Sequence, residues 1–236
     1  MQESAPPLVC VHGAGAGGWE WAIWARVFTA RGHAVIAPDL MPAGDGLAAT
    51  RLADYRAQVV AWCEAAGTAP ILAGASLGGL LALAAAAQVR PAALILVNPL
   101  PPAGILARPL HAPPGPIVPW GSERSLAGTR RALQGCDDAA CLYAYRRWRD
   151  ESGAVIAEAR AGVAVEPPRC PVLVLCGALD TDVPPSVGRA LATRIGADFV
   201  CPPGIGHVDP LLGRAAAGCA ERAAAWLSLR LPAPDA

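Results

Sequence analysis

Ala69-Pro70-Ile71-Leu72-Ala73-Gly74-Ala75-Ser76-Leu77-Gly78-Gly79-Leu80 changes character at its serine. From Ala69 to Val89 the chain is apolar enough to suggest a membrane-spanning helix by hydropathy alone. Gly74, Ser76, Gly78 and Gly79 interrupt it, however, and the pattern is strand-like before the serine and helix-like after it. A buried strand over Ile71 to Ala75, a tight turn, and a helix over Leu77 to Gln88 account for it better. Gly74-x-Ser76-x-Gly78 then occupies the turn. Such a turn holds its serine in a strained backbone conformation above the sheet, and small neighbours are needed because larger side chains would collide with the adjoining strand and helix. The helix that follows aims its N-terminal amides at the site, where developing negative charge is favoured. Ser76 is the candidate nucleophile.

On either side the same alternation recurs. Leu8 to Val11 reads as a strand, Trp19 to Ala30 as a helix, Ala34 to Ala37 as a strand and Leu52 to Ala65 as a helix. Beyond the serine, Ala93 to Val97, Val172 to Cys176 and Asp198 to Cys201 read as strands, with a helix over Ser186 to Ile195. A last helix is expected from Pro210 to about Leu229, with Asp209 as its N-cap. Continuous apolar strands separated by helices indicate a parallel sheet covered on both faces. The expected fold is α/β: a doubly wound, mostly parallel sheet of about six strands with helices on both faces.

Pro99 to Pro168 breaks the rhythm and is too long for a simple connection. The core is therefore expected in residues 1–98 and 169–236, with 99–168 inserted as a small helical cap. Eight prolines stiffen its first part, Pro99 to Pro119. Ser122, Asp137 and Ser152 are plausible N-caps in the second.

Composition narrows the chemistry. Hydrophobic residues make up 54% and charged residues 16% of 236 residues, enough for one domain with a large core. Basic and acidic residues balance at 19 each, leaving no electrostatic footprint for nucleic acid or an anionic membrane. The expected partner is a small-molecule substrate. Every basic residue is arginine, so no Schiff base forms on this protein and no Gly-Lys phosphate loop exists. No metal or other cofactor is required. Eight cysteines without a CxxC pair, and the lack of a secretory-type leader ahead of Leu8, point to a reducing cytoplasm. A Cys136–Cys141 bridge is the less favoured alternative.

Of four histidines, His207 is the best general base, lying between strand and helix in Gly204-Ile205-Gly206-His207. His12 belongs to a glycine-rich turn, His33 starts a strand at the opposite edge of the sheet, and His111 lies in the proline-rich stretch. Asp180, in Gly177-Ala178-Leu179-Asp180-Thr181-Asp182, is the acid expected to orient the histidine, with Asp182 as its competitor. In His12-Gly13-Ala14, backbone amides can face a substrate oxygen, and the amides of Ala14 and Leu77 are the expected oxyanion pair. Gly13-x-Gly15-x-x-Gly18 also matches a dinucleotide-binding turn, with Asp39 as the acid about twenty residues on.

Serine, aspartate and histidine in that order, each after a successive strand, resemble the α/β-hydrolase superfamily. HGAGAGGW at 12–19, APDL at 37–40, GASLGG at 74–79, GALDTDVP at 177–184 and GIGH at 204–207 carry the resemblance. It implies a Ser76–Asp180–His207 triad, an oxyanion hole from Ala14 and Leu77, and a cap that shapes the pocket. Seven residues precede the first strand, so the sheet is expected to lack the two extra antiparallel strands common in the family. MPAGDG replaces the usual PGxGxS turn, and Asn98 stands where an acid is sometimes found. The expected activity is hydrolysis of an ester or thioester of small to medium acyl length. The alternatives are lyase chemistry, disfavoured because such relatives usually employ a lysine, and a catalytically silent ligand-binding protein.

Trp19, Trp120, Tyr145 and Trp148 are the aromatic candidates for substrate contact. The arginines around the last three (Arg124, Arg130, Arg131, Arg146, Arg147, Arg149) read foremost as a solvated face, and otherwise as a site for an acidic or acyl-carrier substrate. Trp21 and Trp24 read as core.

Overall fold

The computed structural model describes residues 5–105 and 115–231; His111 and part of the proline-rich stretch lie outside the described residues. Eight strands occur among them: β1 (Leu8–Val11), β2 (Val35–Ile36), β3 (Ile71–Ala75), β4 (Ala93–Val97), β5 (Ile117–Val118), β6 (Glu151–Ser152), β7 (Val172–Leu175) and β8 (Asp198–Val200). The helices are α1 (Ala22–Thr29), α2 (Leu52–Ala65), α3 (Leu77–Val89), α4 (Leu126–Ala132), α5 (Asp138–Tyr145), α6 (Gly153–Ala161), α7 (Pro185–Ile195) and α8 (Ala216–Arg230). Six strands form one sheet in the order β2-β1-β3-β4-β7-β8, every pairing parallel. The order reverses between β1 and β3, and in such sheets ligands bind at the carboxyl ends beside that point.

Period-two alternation sends strand side chains into two separate cores. Val9, Val11, Leu72, Leu94, Leu96 and Val174 pack beneath α2, α3, α6 and α7. Leu8, Cys10, Ile71, Ala73, Ile95 and Leu173 pack on the other face, against α1 and α8. With both faces covered, the central strands β1, β3, β4 and β7 carry no polar side chains, and this is why they read as unbroken apolar runs. Helix α3 has no polar face either, because it is buried nearly all round. No helix among the described residues is long and apolar enough to cross a membrane.

Between β4 and β7 lie the antiparallel pair β5–β6 and helices α4 to α6. Asp137 caps α5 through the Ala140 amide, and Ser152 caps α6 through the Val155 amide. Ser122 does not cap a helix. Its amide and hydroxyl are drawn to Asp150, and Ser125 caps α4 instead.

Two further expectations are corrected. The first helix opens with a 3-10 turn over Gly18–Trp21 and becomes α-helical only at Ala22. The last helix starts at Ala216, because Asp209 is not available as its cap. The Asp209 carboxyl accepts the Gly206 amide at 2.7 Å and lies 3.1 Å from the Cys136 thiol, while the Trp24 indole takes the Pro210 carbonyl. All eight cysteines are free, Cys136 and Cys141 included.

Candidate active site

Ser76 sits between β3 and α3 with φ 51° and ψ −116°, a left-handed conformation that costs a non-glycine residue about 1–3 kcal/mol. The surroundings hold it there. A Cβ on Gly74 would be driven into the Gly78 carbonyl, and one on Gly78 into the carbonyls of Val11 and His12. The crossing of β1, β3 and α3 is therefore too close for any side chain at those two positions, and the turn stays sharp.

The loops after β7 and β8 bring Asp180 and His207 to this turn. His207 Nε2 accepts the Ser76 hydroxyl at 3.0 Å, and its Nδ1 donates to Asp180 Oδ2 at 2.7 Å. A carboxylate only accepts, so the contact at Nδ1 fixes the tautomer and leaves Nε2 basic toward the serine. The other Asp180 oxygen accepts the amides of Asp182 and Val183, both at 2.9 Å. Asp180 is fully buried at its side chain, whereas Asp182 is exposed and contributes its amide to Asp180. Burial by itself lowers the His207 pKa. The hydrogen bond and charge of Asp180, with the charges of Asp182 and Glu20, outweigh it, and the net shift is upward.

Ala14 and Leu77 flank the serine from the β1 turn and the first position of α3. Among the described residues neither amide has a hydrogen-bond partner. His12 is buried, donates from Nδ1 to the Gly13 carbonyl and accepts the Leu40 amide at Nε2, so it braces the turn. Burial pushes its pKa down to about 4 and keeps it neutral. His33 donates to the Pro6 carbonyl, at the far edge of the sheet.

The glycines of the turn are closed by the protein's own atoms. Gly15, at φ +67°, lies under the Trp120 ring and the Arg149 carbonyl, and Gly18 abuts the Ala37 carbonyl. Asp39 accepts the Gly18 amide and pairs with Arg149 at 3.2 Å. The Gly13, Gly15 and Gly18 amides, which would cradle a pyrophosphate, are engaged by Glu20, Glu151 and Asp39 instead, which counts against the dinucleotide reading.

Trp19 and Trp148 meet edge to face at 5.5 Å, with Tyr143 against the same Trp19 ring at 5.6 Å. Trp120 is 44% exposed over Gly15. Tyr145 instead faces the Arg124 guanidinium, 5.6 Å from its ring centroid. Trp21 and Trp24 are core. Arg147 stacks on Tyr143 and Arg130 pairs with Asp138, so much of the arginine face is occupied by protein partners.

A sequence model of the Alpha/beta hydrolase family matches residues 8–222, nearly the whole chain. The chain belongs to that family. Among solved structures, this alpha/beta hydrolase is similar to an esterase from Thermogutta terrifontis, at 22% identity and TM-score 0.67 over 97% of this chain and 92% of that one. An Arabidopsis methylesterase superposes with TM-score 0.74 at 16% identity, over 94% and 100%. Tomato methylketone synthase I, complexed with 2-tridecanone, gives 0.75 at 15%, over 95% and 98%. At such identities the likeness shows the fold alone. No curated protein sequence matches this one.

Several site residues of this alpha/beta hydrolase escape a sequence reading. Asn98, at the end of β4, donates to the His207 carbonyl at 2.6 Å and the Gly206 carbonyl at 3.3 Å, and accepts the Gly177 amide at 2.8 Å. It ties the acid loop to the histidine loop from the position that carries an acid in some relatives. Asp209 holds the histidine loop through Gly206. Glu20 and Glu151 are buried carboxyls beside the β1 turn. Each acts through backbone groups of a turn or loop, from three residues away for Asp209 to 136 for Glu151. A motif marks the serine turn, but only the folded contacts reveal these supports.

Proposed function

We propose that this alpha/beta hydrolase is a serine hydrolase that cleaves an ester or thioester of small to medium acyl length through an acyl-enzyme. The reading rests on one observation, the hydrogen-bonded chain from Ser76 Oγ through the His207 imidazole to Asp180. In it, His207 Nε2 takes the Ser76 proton as Oγ bonds to the acyl carbon. The amides of Ala14 and Leu77 hold the oxygen that becomes negative. The histidine then gives that proton to the departing alcohol or thiol as the old bond breaks. Water deprotonated by the same imidazole releases the acid and restores the serine. Asp180 holds the tautomer and stabilises the imidazolium throughout.

Residues 99–168 form the cap in this reading, and Trp19, Trp120, Tyr145 and Trp148 are its substrate-contact candidates. The esterase and methylesterase among the similar structures support ester chemistry. Free cysteines throughout suit a reducing cytoplasm.

Turnover of a panel of nitrophenyl esters and thioesters of graded acyl length tests the proposal. Ser76→Ala, His207→Ala and Asp180→Asn are each expected to lower kcat by about 10⁴-fold. A Ser76→Ala protein with unchanged turnover of the best substrate would refute it.

A further inference from the structure

The turn after β1 has three consecutive amides with three different fates. The Gly13 amide donates to Glu20 Oε1 at 2.7 Å, and the Gly15 amide donates to Glu151 Oε2 at 3.0 Å. The Ala14 amide between them has no partner among the described residues. A donor engaged by a carboxyl is not available to a substrate oxygen, so the two glutamates leave one amide of the turn for an outside acceptor. An ideal Cβ on Gly13 would lie 3.5 Å from the Ser76 Cβ, so this turn is packed directly against the serine.

From this geometry we infer that Glu20 and Glu151 are positioning residues, a pair of carboxyls that grip the turn on either side of Ala14 and hold its amide in register with Ser76. The inference rests on the acyl-enzyme reading above, since it assigns the Ala14 amide to the oxyanion.

Both glutamates are 3% exposed, and an acid is an expensive residue to bury for packing alone. They reach the turn from different parts of the chain. Glu20 belongs to the 3-10 turn before α1. Glu151 belongs to β6 in the inserted segment, where its other oxygen accepts the Tyr55 hydroxyl at 2.8 Å and the Ser152 amide at 2.9 Å. The neighbouring Arg149 amide donates to the Gly15 carbonyl at 2.8 Å, so the inserted segment grips Gly15 at both its polar groups. The segment thereby completes the turn as well as covering it. Burial pushes the Glu20 pKa up to about 8, against the pull of the Gly13 amide and the His207 charge. Burial thus disfavours the charged form of the carboxyl that accepts the Gly13 amide, and with it negative charge set against the developing oxyanion.

The test is steady-state kinetics on a nitrophenyl ester at pH 7, with kcat expressed per fluorophosphonate-labelled site. Glu20→Met fills the volume without an acceptor, and Glu20→Asp withdraws the acceptor by one methylene. Both are expected to lower kcat about tenfold with KM within about twofold, less than the ~10²-fold that loss of an oxyanion donor itself costs. Glu20→Gln keeps an acceptor of the same reach and is expected to retain at least half of the wild-type kcat, whereas Glu151→Gln turns an N–H toward one of the donors that occupy both Glu151 oxygens and is expected to lower kcat as Glu20→Met does. Should Glu20→Met not fold, Glu20→Asp carries the comparison. Wild-type kcat per labelled site in Glu20→Asp or Glu20→Met overturns the inference, as does an equal kcat loss in Glu20→Gln or a wild-type kcat in Glu151→Gln. Failure of the underlying reading looks different: the wild-type protein takes no label, or Ser76→Ala turns over normally.

Discussion

Asn98 shares with Ser76 a positive φ, here 42°, at the end of a neighbouring strand. Asparagine tolerates that conformation better than most residues, and its amide group is engaged on both sides. Three hydrogen bonds to three backbone groups hold the loops that carry Asp180 and His207 at a fixed separation. Losing them at about 1 kcal/mol each, with added strain for alanine at positive φ, makes Asn98→Ala less stable by more than about 3 kcal/mol. The same change is expected to lower kcat, since the histidine loses the support of its own carbonyl. Asn98→Asp reverses one polarity, because a carboxylate has no N–H for the His207 and Gly206 carbonyls, and it should recover little of either. Chemical denaturation and ester kinetics on the two variants check both statements.

Among the elements, the crossing of β1, β3 and α3 is the most constrained. A methyl group on Gly78 meets two carbonyl oxygens of the β1 end, and neither backbone can yield without moving a whole strand. Gly78→Ala is expected to cost about 3 kcal/mol or more by overpacking, measured as a fall in the urea midpoint, with activity lost alongside. This crossing was also the part most legible in the sequence. Strand-to-helix switching at Ser76 located β3 and α3 almost to the residue, and long apolar runs gave β1, β4 and β7. Legibility failed where a capping signal had a competing partner outside its helix. Asp209-Pro210 looks like a helix start, yet the carboxyl is claimed by Gly206 and the helix waits until Ala216. Ser122 looks like a cap, yet Asp150 captures it. Ser76, His207 and Asp180 were legible as candidates because each stands on a glycine-marked loop after a strand. Glu20 and Asn98 could not, because a buried acid and a strand-end amide carry no local mark of the turns they hold.

At the scale of the whole molecule, buried titratable groups make stability depend on pH. Glu20 faces Cys10 on β1 and His207 after β8, and its pKa rises from an ordinary 4.5 to about 8. In the fold it keeps a proton that the unfolded chain releases, so its contribution is complete below pH 4.5 and drains away as pH climbs to 8. His12, facing Arg149 and Asp39, is shifted from 6.5 to about 4 and stays neutral in the fold. Its contribution is complete above pH 6.5 and is lost as pH falls toward 4. The two slopes oppose each other from 4.5 to 6.5. Above 6.5 the Glu20 slope is unopposed, and the raised His207 pKa adds to it in the same direction. The melting temperature is therefore expected to fall between pH 6.5 and 8, and Glu20→Gln to flatten that decline; an equal slope in the variant would contradict it. The sheet as a whole gathers loops from β1, β3, β7 and β8 at one end, and the central claim is that their meeting makes Ser76 a nucleophile. Labelling with a fluorophosphonate, followed by peptide mass spectrometry, tests this most directly. The expected result is one adduct, on Ser76, formed much more slowly in His207→Ala. An adduct on another residue, or an unlabelled protein that still turns over esters, would contradict it.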